Sequence, residues 1–352
     1  MMTDAMQVPS LGEAFAPFFR IGAAVSGRMT ADPVLRDLML RHYTSLTADN
    51  QMKPMFLMDR AATLASGNPG RVALRFAPAD DLLSFARDHG VPMRFHTLLW
   101  HNQTPRWFFA ADWSDAEDAP KAGREIMLER LENYVTDVMA HVNQAFPGVV
   151  YTWDVVNEAI EPDQGAPGLY RVRSPWYAAL GEDFLPAAFR AARRGQAPGQ
   201  TLCYNDYNAF DPVKRDAIIA LLKKLQAENL VDTMGMQGHY VLSDIDLPAC
   251  EAAARAYAAL GLNLQVTELD IHCTRGDQAG QQELADVYGA YFRMLVKLRR
   301  EGMPVEAVTF WGVTDADSWL TGFRKKRSYP LLFSDDRKAK PAFRAVLQAA
   351  EA

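Results

Sequence analysis

The sequence predicts an α/β fold, a single (β/α)8 TIM barrel, on three observations. Short apolar runs of strand length alternate with amphipathic stretches of helical length, eight pairs of them can be counted, and no Pro-, Gly- or Ser-rich linker divides the series. A chain of 352 residues suits one such barrel, a class that often runs well past 200 residues as a single unit. We therefore expect one domain over 1–352, with the barrel at about 18–350 and residues 1–17 as an N-terminal extension.

The elements follow in order. Phe18 to Val25 reads as the first strand. Asp32 and Pro33 then occupy the cap and first position of a helix that carries Val34, Leu35, Leu38 and Met39. Tyr43 to Leu46 is the second strand, Asp80 to His89 a helix stopped at Gly90, and Met93 to Trp100 the third strand with its loop. A long helix from about Gly123 to Phe146 repeats Ile126, Leu131, Val135, Val138 and Val142 near one face. Tyr151 to Ala159 is strand four. Helices over 184–194, 212–228, 248–260 and 281–300 then alternate with strands at Thr201 to Tyr204, Thr233 to Gln237, Leu262 to Ile271 and Val305 to Trp311. Lys340-Pro341 opens the closing helix.

Bulk properties narrow the function. A net charge of −6 argues against nucleic acid, because neutralising phosphates calls for a basic face, and the one basic run, Arg324-Lys325-Lys326-Arg327, reads as a solvated loop. No stretch of about 18 apolar residues exists, so no membrane span is expected. The first 17 residues carry Asp4 and Glu13 and no apolar h-region, which predicts a cytoplasmic protein unless a leader has been removed. Cys203, Cys250 and Cys273 are odd in number and scattered, as inert thiols would be. His96 and His101 have no ligand-spaced partner and no glycine-rich phosphate loop appears, so neither metal nor cofactor is expected. Oligomeric state is not encoded in any of these features.

Two strands end in chemistry. Tyr151-Thr152-Trp153-Asp154-Val155-Val156-Asn157-Glu158 presents an amide beside a carboxyl group, and Leu264-Gln265-Val266-Thr267-Glu268 delivers a second carboxyl group. Acid-assisted cleavage of an acetal needs two such groups, one to protonate the leaving oxygen and one to attack or to activate water. In a barrel of this class the chemistry sits on the loops after the strands. Asn50, His96, Trp100, Glu158, Asn205, Gln237, His239, Glu268 and Trp311 all fall there.

Seven segments taken together carry a resemblance. Thr47-Ala48-Asp49-Asn50-Gln51-Met52-Lys53, His96-Thr97-Leu98-Leu99-Trp100-His101, Trp153 to Ala159, Tyr204-Asn205-Asp206-Tyr207-Asn208, Gly235-Met236-Gln237-Gly238-His239, Val266 to Asp270 and Phe310 to Trp319 resemble family 10 glycoside hydrolases, the endo-β-1,4-xylanases, over about residues 20–345. The resemblance implies a retaining double displacement with Glu158 as acid/base and Glu268 as nucleophile. A neighbouring carboxylate would help Glu158 hold its proton. Asn157 can donate to the sugar 2-hydroxyl, and His239 can hold the nucleophile, with Asp270 orienting it.

Sugar rings have apolar faces and hydroxyl rims. Trp100, Trp311 and Trp319 fit the platforms, and Asn50, Lys53, His96 and Gln237 the rim. The resemblance places these at the glycone subsites and Tyr207 on the aglycone side. Trp107, Trp113 and Trp176 read as core, His42, His89, His141 and His272 as ordinary structural histidines, and His101 is left open. Two departures stand out: Asp49 lies where the family commonly has glutamate, and Pro54-Met55-Phe56 where it has an aromatic residue soon after the lysine. A side chain one methylene shorter reaches a distal sugar less well.

The expected function is hydrolysis of internal β-1,4 linkages in xylan or xylo-oligosaccharides, with the short substrates favoured. A β-1,4-glucan hydrolase of the same barrel type is the alternative among enzymes. A xylan-binding protein without activity is the alternative outside them, and it would have no need of both glutamates.

Overall fold

The computed structural model describes residues 3–351. Eight strands, β1 Arg20–Val25, β2 Ser45–Ala48, β3 Met93–Phe95, β4 Val150–Asn157, β5 Thr201–Asp206, β6 Thr233–Met236, β7 Asn263–His272 and β8 Val305–Phe310, alternate with eight helices of ten residues or more. The helices are α1 Pro33–His42, α2 Ala77–Asp88, α3 Arg124–Ala145, α4 Phe184–Gly195, α5 Pro212–Gln226, α6 Leu247–Ala258, α7 Gln278–Arg300 and α8 Pro341–Glu351. The fold class is the (β/α)8 barrel, as the alternation predicts. Punctuation residues act where expected: the Asp32 carboxylate accepts from the Val34 and Leu35 amides ahead of α1, and Gly90 closes the turn after α2 at φ 66°.

The described chain divides into two compact units, residues 3–47, 207–212 and 234–351 in the first and 48–206 and 213–233 in the second. In the first, β7, β8 and β1 pair in parallel, with Val266 opposite Val308 and Thr309 opposite Gly22. A Cβ on Gly22 would come within 2.7 Å of both the Ser45 and Thr309 hydroxyl oxygens, so glycine lets these small polar residues close up around it. The N-terminal residues are part of this packing. Thr3 and Asp4 pair with Ala339 and Lys338, Phe15 stacks on Phe19 at 5.2 Å, and the Ala5 carbonyl bonds His42 at 2.9 Å. His42 is a structural histidine in this packing, and burial pushes its pKa down to about 4.

In the second unit β3, β4 and β5 pair in parallel. The expected strand Met93 to Trp100 is interrupted. Its first part ends at Phe95, a cis peptide joins His96 to Thr97, and Leu99–Trp100 rejoins β4 opposite Val156 and Asn157. A separate apolar cluster holds the three tryptophans expected in the core. Trp107, Trp113 and Trp176 are all buried, and the Arg130 guanidinium lies 3.4 Å from the Trp113 ring centroid while donating to the carbonyls of Pro69, Phe108 and Ala110. Short helices such as Leu11–Phe15, Arg60–Ser66 and Pro175–Leu180 had no clear signal in the sequence, being two turns or less. Cys203, Cys250 and Cys273 are free and buried.

Candidate active site

Each candidate glutamate lies at or just after a break in strand register. In β4, Asp154 pairs with Cys203 and Val156 with Tyr204, so β4 holds one extra residue just before Asn157 and Glu158. In β7, Val266 pairs with Val308 and Leu269 with Phe310, so the extra residue falls at Thr267–Glu268. Glu158 comes just past the end of β4, whereas Glu268, expected at a strand end, lies inside β7; a bulge re-aims the side chains around it, which frees both carboxyl groups from the strict alternation of faces.

Glu158 also stands at φ 58°, a left-handed conformation that costs a residue with a Cβ about 1 to 3 kcal/mol. Backbone bonds on both sides hold it there. Its amide donates to the Asn205 carbonyl at 2.9 Å, its carbonyl accepts from Arg171 Nε at 2.9 Å, and the next amide, of Ala159, donates to the Tyr204 hydroxyl at 3.1 Å. Tyr204 in turn donates to the buried Asp206 carboxylate, which pairs with Lys214 at 2.7 Å.

The Glu158 carboxyl group accepts from Trp100 Nε1 at 2.9 Å and from Asn157 Nδ2 at 3.1 Å. Asn157 is oriented by Asn205, whose amide donates to its Oδ1 at 2.8 Å. His101 Nδ1 lies 3.7 Å from the same carboxyl group, and burial, reinforced by the positive charge of Arg171, lowers the pKa of His101 to about 4. The imidazole beside Glu158 is therefore neutral near pH 7. Lys53 Nζ lies 5.0 Å from the Trp100 ring centroid and donates to Asn50 Oδ1 at 3.2 Å. Asn50 is fixed further by Gln103, which donates to it at 3.1 Å, and it donates to Asp49 at 2.9 Å. His96 bonds through Nδ1 to Asp154 at 2.8 Å, and Arg94 holds the same buried carboxylate. The second unit thus gathers Asn50, Lys53, His96, Trp100, Asn157 and Glu158.

The first unit gathers another group around Glu268. His239 Nε2 donates to Glu268 Oε2 at 3.1 Å and Nδ1 to Asp270 Oδ1 at 2.8 Å. Trp319 Nε1 donates to the other oxygen of Asp270 at 2.8 Å. Burial works against a charge on His239, but the Asp270 and Glu268 carboxylates outweigh it and raise its pKa to about 10. An imidazolium therefore faces Glu268 at neutral pH. The ring centroids of Trp311 and Trp319 lie 6.1 and 5.1 Å from His239, and the Gln237 carbonyl accepts from the Glu268 amide at 2.7 Å.

Residues 10–349 match the family model for glycosyl hydrolase family 10. The chain belongs to that family. It is 40% identical over 345 residues to an endo-1,4-β-xylanase B of Butyrivibrio fibrisolvens, covering 97% of this chain and 53% of that protein. To an endo-1,4-β-xylanase A of Thermotoga maritima it is 35% identical, with 98% and 31% covered. The chain thus spans about half or less of these longer relatives. A thermostable celloxylanase of Thermoclostridium stercorarium is 36% identical, with 98% and 88% covered. Among solved structures, xylanase B from Clostridium stercorarium F9 superposes with a TM-score of 0.83 at 34% identity, with 97% and 99% covered. An intracellular xylanase from Thermoanaerobacterium saccharolyticum gives 0.84 at 32%, with 97% and 98% covered.

Within this family 10 chain, two residues of the expected set have no contact described above that leads to a glutamate: His96, which is held on Asp154, and Tyr207, which lies half-buried just past β5. Several residues of the site were passed over in the sequence. Asp154 and Arg94 each put a charge into an otherwise apolar strand, and a charge there needs a buried partner, which was the available signal. Arg171, Gln103 and Lys214 lie in loops or on a helix face, where a sequence pattern does not distinguish them from solvated residues.

Proposed function

We propose that this chain is a retaining endo-β-1,4-xylanase, with Glu158 as general acid/base and Glu268 as nucleophile. The observation that carries the assignment is the contrast between the two carboxyl environments. Glu268 faces an imidazolium, which suits a group that must stay ionised to attack. Glu158 faces the neutral donors of Trp100 and Asn157 and a neutral His101, which suits a group that must carry a proton.

In the first step Glu158 gives its proton to the glycosidic oxygen as Glu268 bonds to the anomeric carbon and the aglycone leaves. In the second, the Glu158 carboxylate takes a proton from water, whose oxygen displaces Glu268 and releases the sugar with its configuration retained. Asn157 serves the 2-hydroxyl, a bond that strengthens as the ring gains oxocarbenium character. Trp100, Trp311 and Trp319 serve as platforms, Asn50, Lys53, His96 and Gln237 as the hydrogen-bonding rim, and Tyr207 on the aglycone side.

Glu268→Gln should lower turnover by several orders of magnitude and leave oligosaccharide affinity largely intact. Proton NMR of the first product should show the β-anomer. Full activity in the variant, or the α-anomer first, would overturn the assignment.

The names of the relatives support xylan or xylo-oligosaccharides as substrate, and the celloxylanase supports a second reading in which β-1,4-glucans are also cut. Rates on aryl xyloside and aryl cellobioside decide between them. We further propose action on short oligosaccharides in the cytoplasm, a reading supported by the shorter Asp49 side chain and by the structural neighbour named an intracellular xylanase. Fractionation of the source cells tests it, and activity recovered in the medium would refute it.

A further inference from the structure

The basic run that the sequence leaves as a solvated loop follows Trp319, the residue that donates to Asp270. It follows the short helix Leu320–Phe323, which begins just after Trp319. Arg327 is engaged, with its guanidinium 2.5 Å from Asp335 and 4.9 Å from the Tyr329 ring centroid. Arg324, Lys325 and Lys326 are exposed, and among the described residues none of the three has a carboxylate within ion-pair distance. Consecutive unpaired cations repel one another. Here they persist on a chain whose net charge is −6.

The cations continue a line of aromatic rings. Trp319 lies 5.1 Å from His239, the residue that holds Glu268, and Phe323 lies 4.7 Å from Trp319. Trp319 is 38% exposed and Phe323 65%, the most exposed of the large apolar side chains among the described residues. Solvent-facing rings of this kind offer stacking surface to sugar faces. The charges also sit close to β7: burial first, then Arg324 and Lys326, lowers the pKa of His272 at the end of that strand, against the opposing Asp270.

We propose that Trp319, Phe323, Arg324, Lys325 and Lys326 form a subsite for acidic xylan, with xylose rings against the two aromatics and the carboxylate of a uronic acid branch against the cations. The proposal rests on the xylanase reading and names the substrate class that this surface selects. It also explains why a basic run accompanies exposed aromatics here, since a neutral glycan would gain nothing from it.

The test compares two xylo-oligosaccharides of equal length, one neutral and one with a single glucuronate branch. In the parent enzyme kcat/KM should favour the branched substrate, and the advantage should shrink as salt rises from low to molar concentration. The triple variant Arg324→Gln, Lys325→Gln, Lys326→Gln should lose about tenfold on the branched substrate, as expected of a few exposed ion pairs acting together, and stay unchanged on the neutral one. Calorimetry on Glu268→Gln, with and without the three changes, measures the same difference as affinity. Equal effects on both sugars, or none on either, overturn the proposal, as does equally tight binding of polygalacturonate, which would mark a general polyanion surface. A chain that cuts neither sugar but binds the branched one through these cations would refute the xylanase reading and leave the subsite standing.

Discussion

An Asp270→Asn variant removes one negative charge, and almost no volume, from the cluster that holds Glu268. In the parent chain the buried Asp270 accepts from His239 Nδ1 and Trp319 Nε1, both at 2.8 Å, and His239 titrates at about 10. Against the ordinary 6.5, that value favours the imidazolium by roughly 5 kcal/mol. Burial opposes the charge, and Asp270 is the largest of the groups that overcome it, so asparagine should bring the titration down to neutrality or below. An asparagine can accept through one atom only, which leaves one of the two N–H groups facing its amide hydrogens. An unpaired buried donor costs roughly 1 to 3 kcal/mol, so kcat/KM should fall about tenfold to a hundredfold.

The pH dependence has a definite sign. A histidine with a raised pKa contributes stability that is fully present below about 6.5 and is lost as pH climbs through about 10. In the parent chain this loss belongs to alkaline pH, and in the variant it should move toward neutrality, together with the alkaline limb of the rate profile. Nitrogen-15 NMR of the imidazole gives the titration, and kcat/KM against pH on an aryl xyloside gives the activity. A parent imidazole titrating near 6.5, or a variant imidazole still titrating near 10, would refute the account of how the nucleophile is held.

Two further outcomes follow from single contacts. Trp100→Phe keeps a ring but removes the donor to Glu158, a bond that becomes charge-assisted and worth roughly 1.5 to 3 kcal/mol as the acid gives up its proton, and should cost more with a poor leaving group, which needs the proton, than with a good one; equal losses on both aryl xylosides would separate Trp100 from the acid. Lys340→Met leaves Asp315 buried without its partner at 2.8 Å and should destabilise the fold by about 3 to 5 kcal/mol, read as a lower Tm. Burial already raises the Asp315 pKa to about 6 against the pull of Lys340, and without Lys340 it lies higher still, so the penalty grows as pH rises above about 6. The variant should lose less at pH 5 than at pH 8, and the reverse order would count against the assignment.

Much of this protein is legible in its sequence, because the information is local. Helix starts at Asp32 and stops at Gly90 follow from capping and backbone freedom. The alternation of strands and helices follows from periodic burial, and the glutamates announce themselves as carboxyl groups ending apolar runs. The seven segments also name the residues around those glutamates. What they leave out is how the residues are held. Arg94 and Asp154 find each other from separate strands, and Arg171 reaches back from a loop to the Glu158 carbonyl. Neither pairing has a periodic trace, since each depends on the path of the chain in space.

The sequence by itself determined the fold class, the order of the elements and the family to which the chain belongs, because capping, hydrophobic period and short motifs act over a few neighbouring residues. Only the tertiary structure decided the added residue in β4 and β7, the left-handed turn at Glu158, the charge on His239 and the neutrality of His101. Those depend on burial and on distances of about 3 Å between groups far apart along the chain, and electrostatic energy at such separations is set by the surroundings rather than by the residue type.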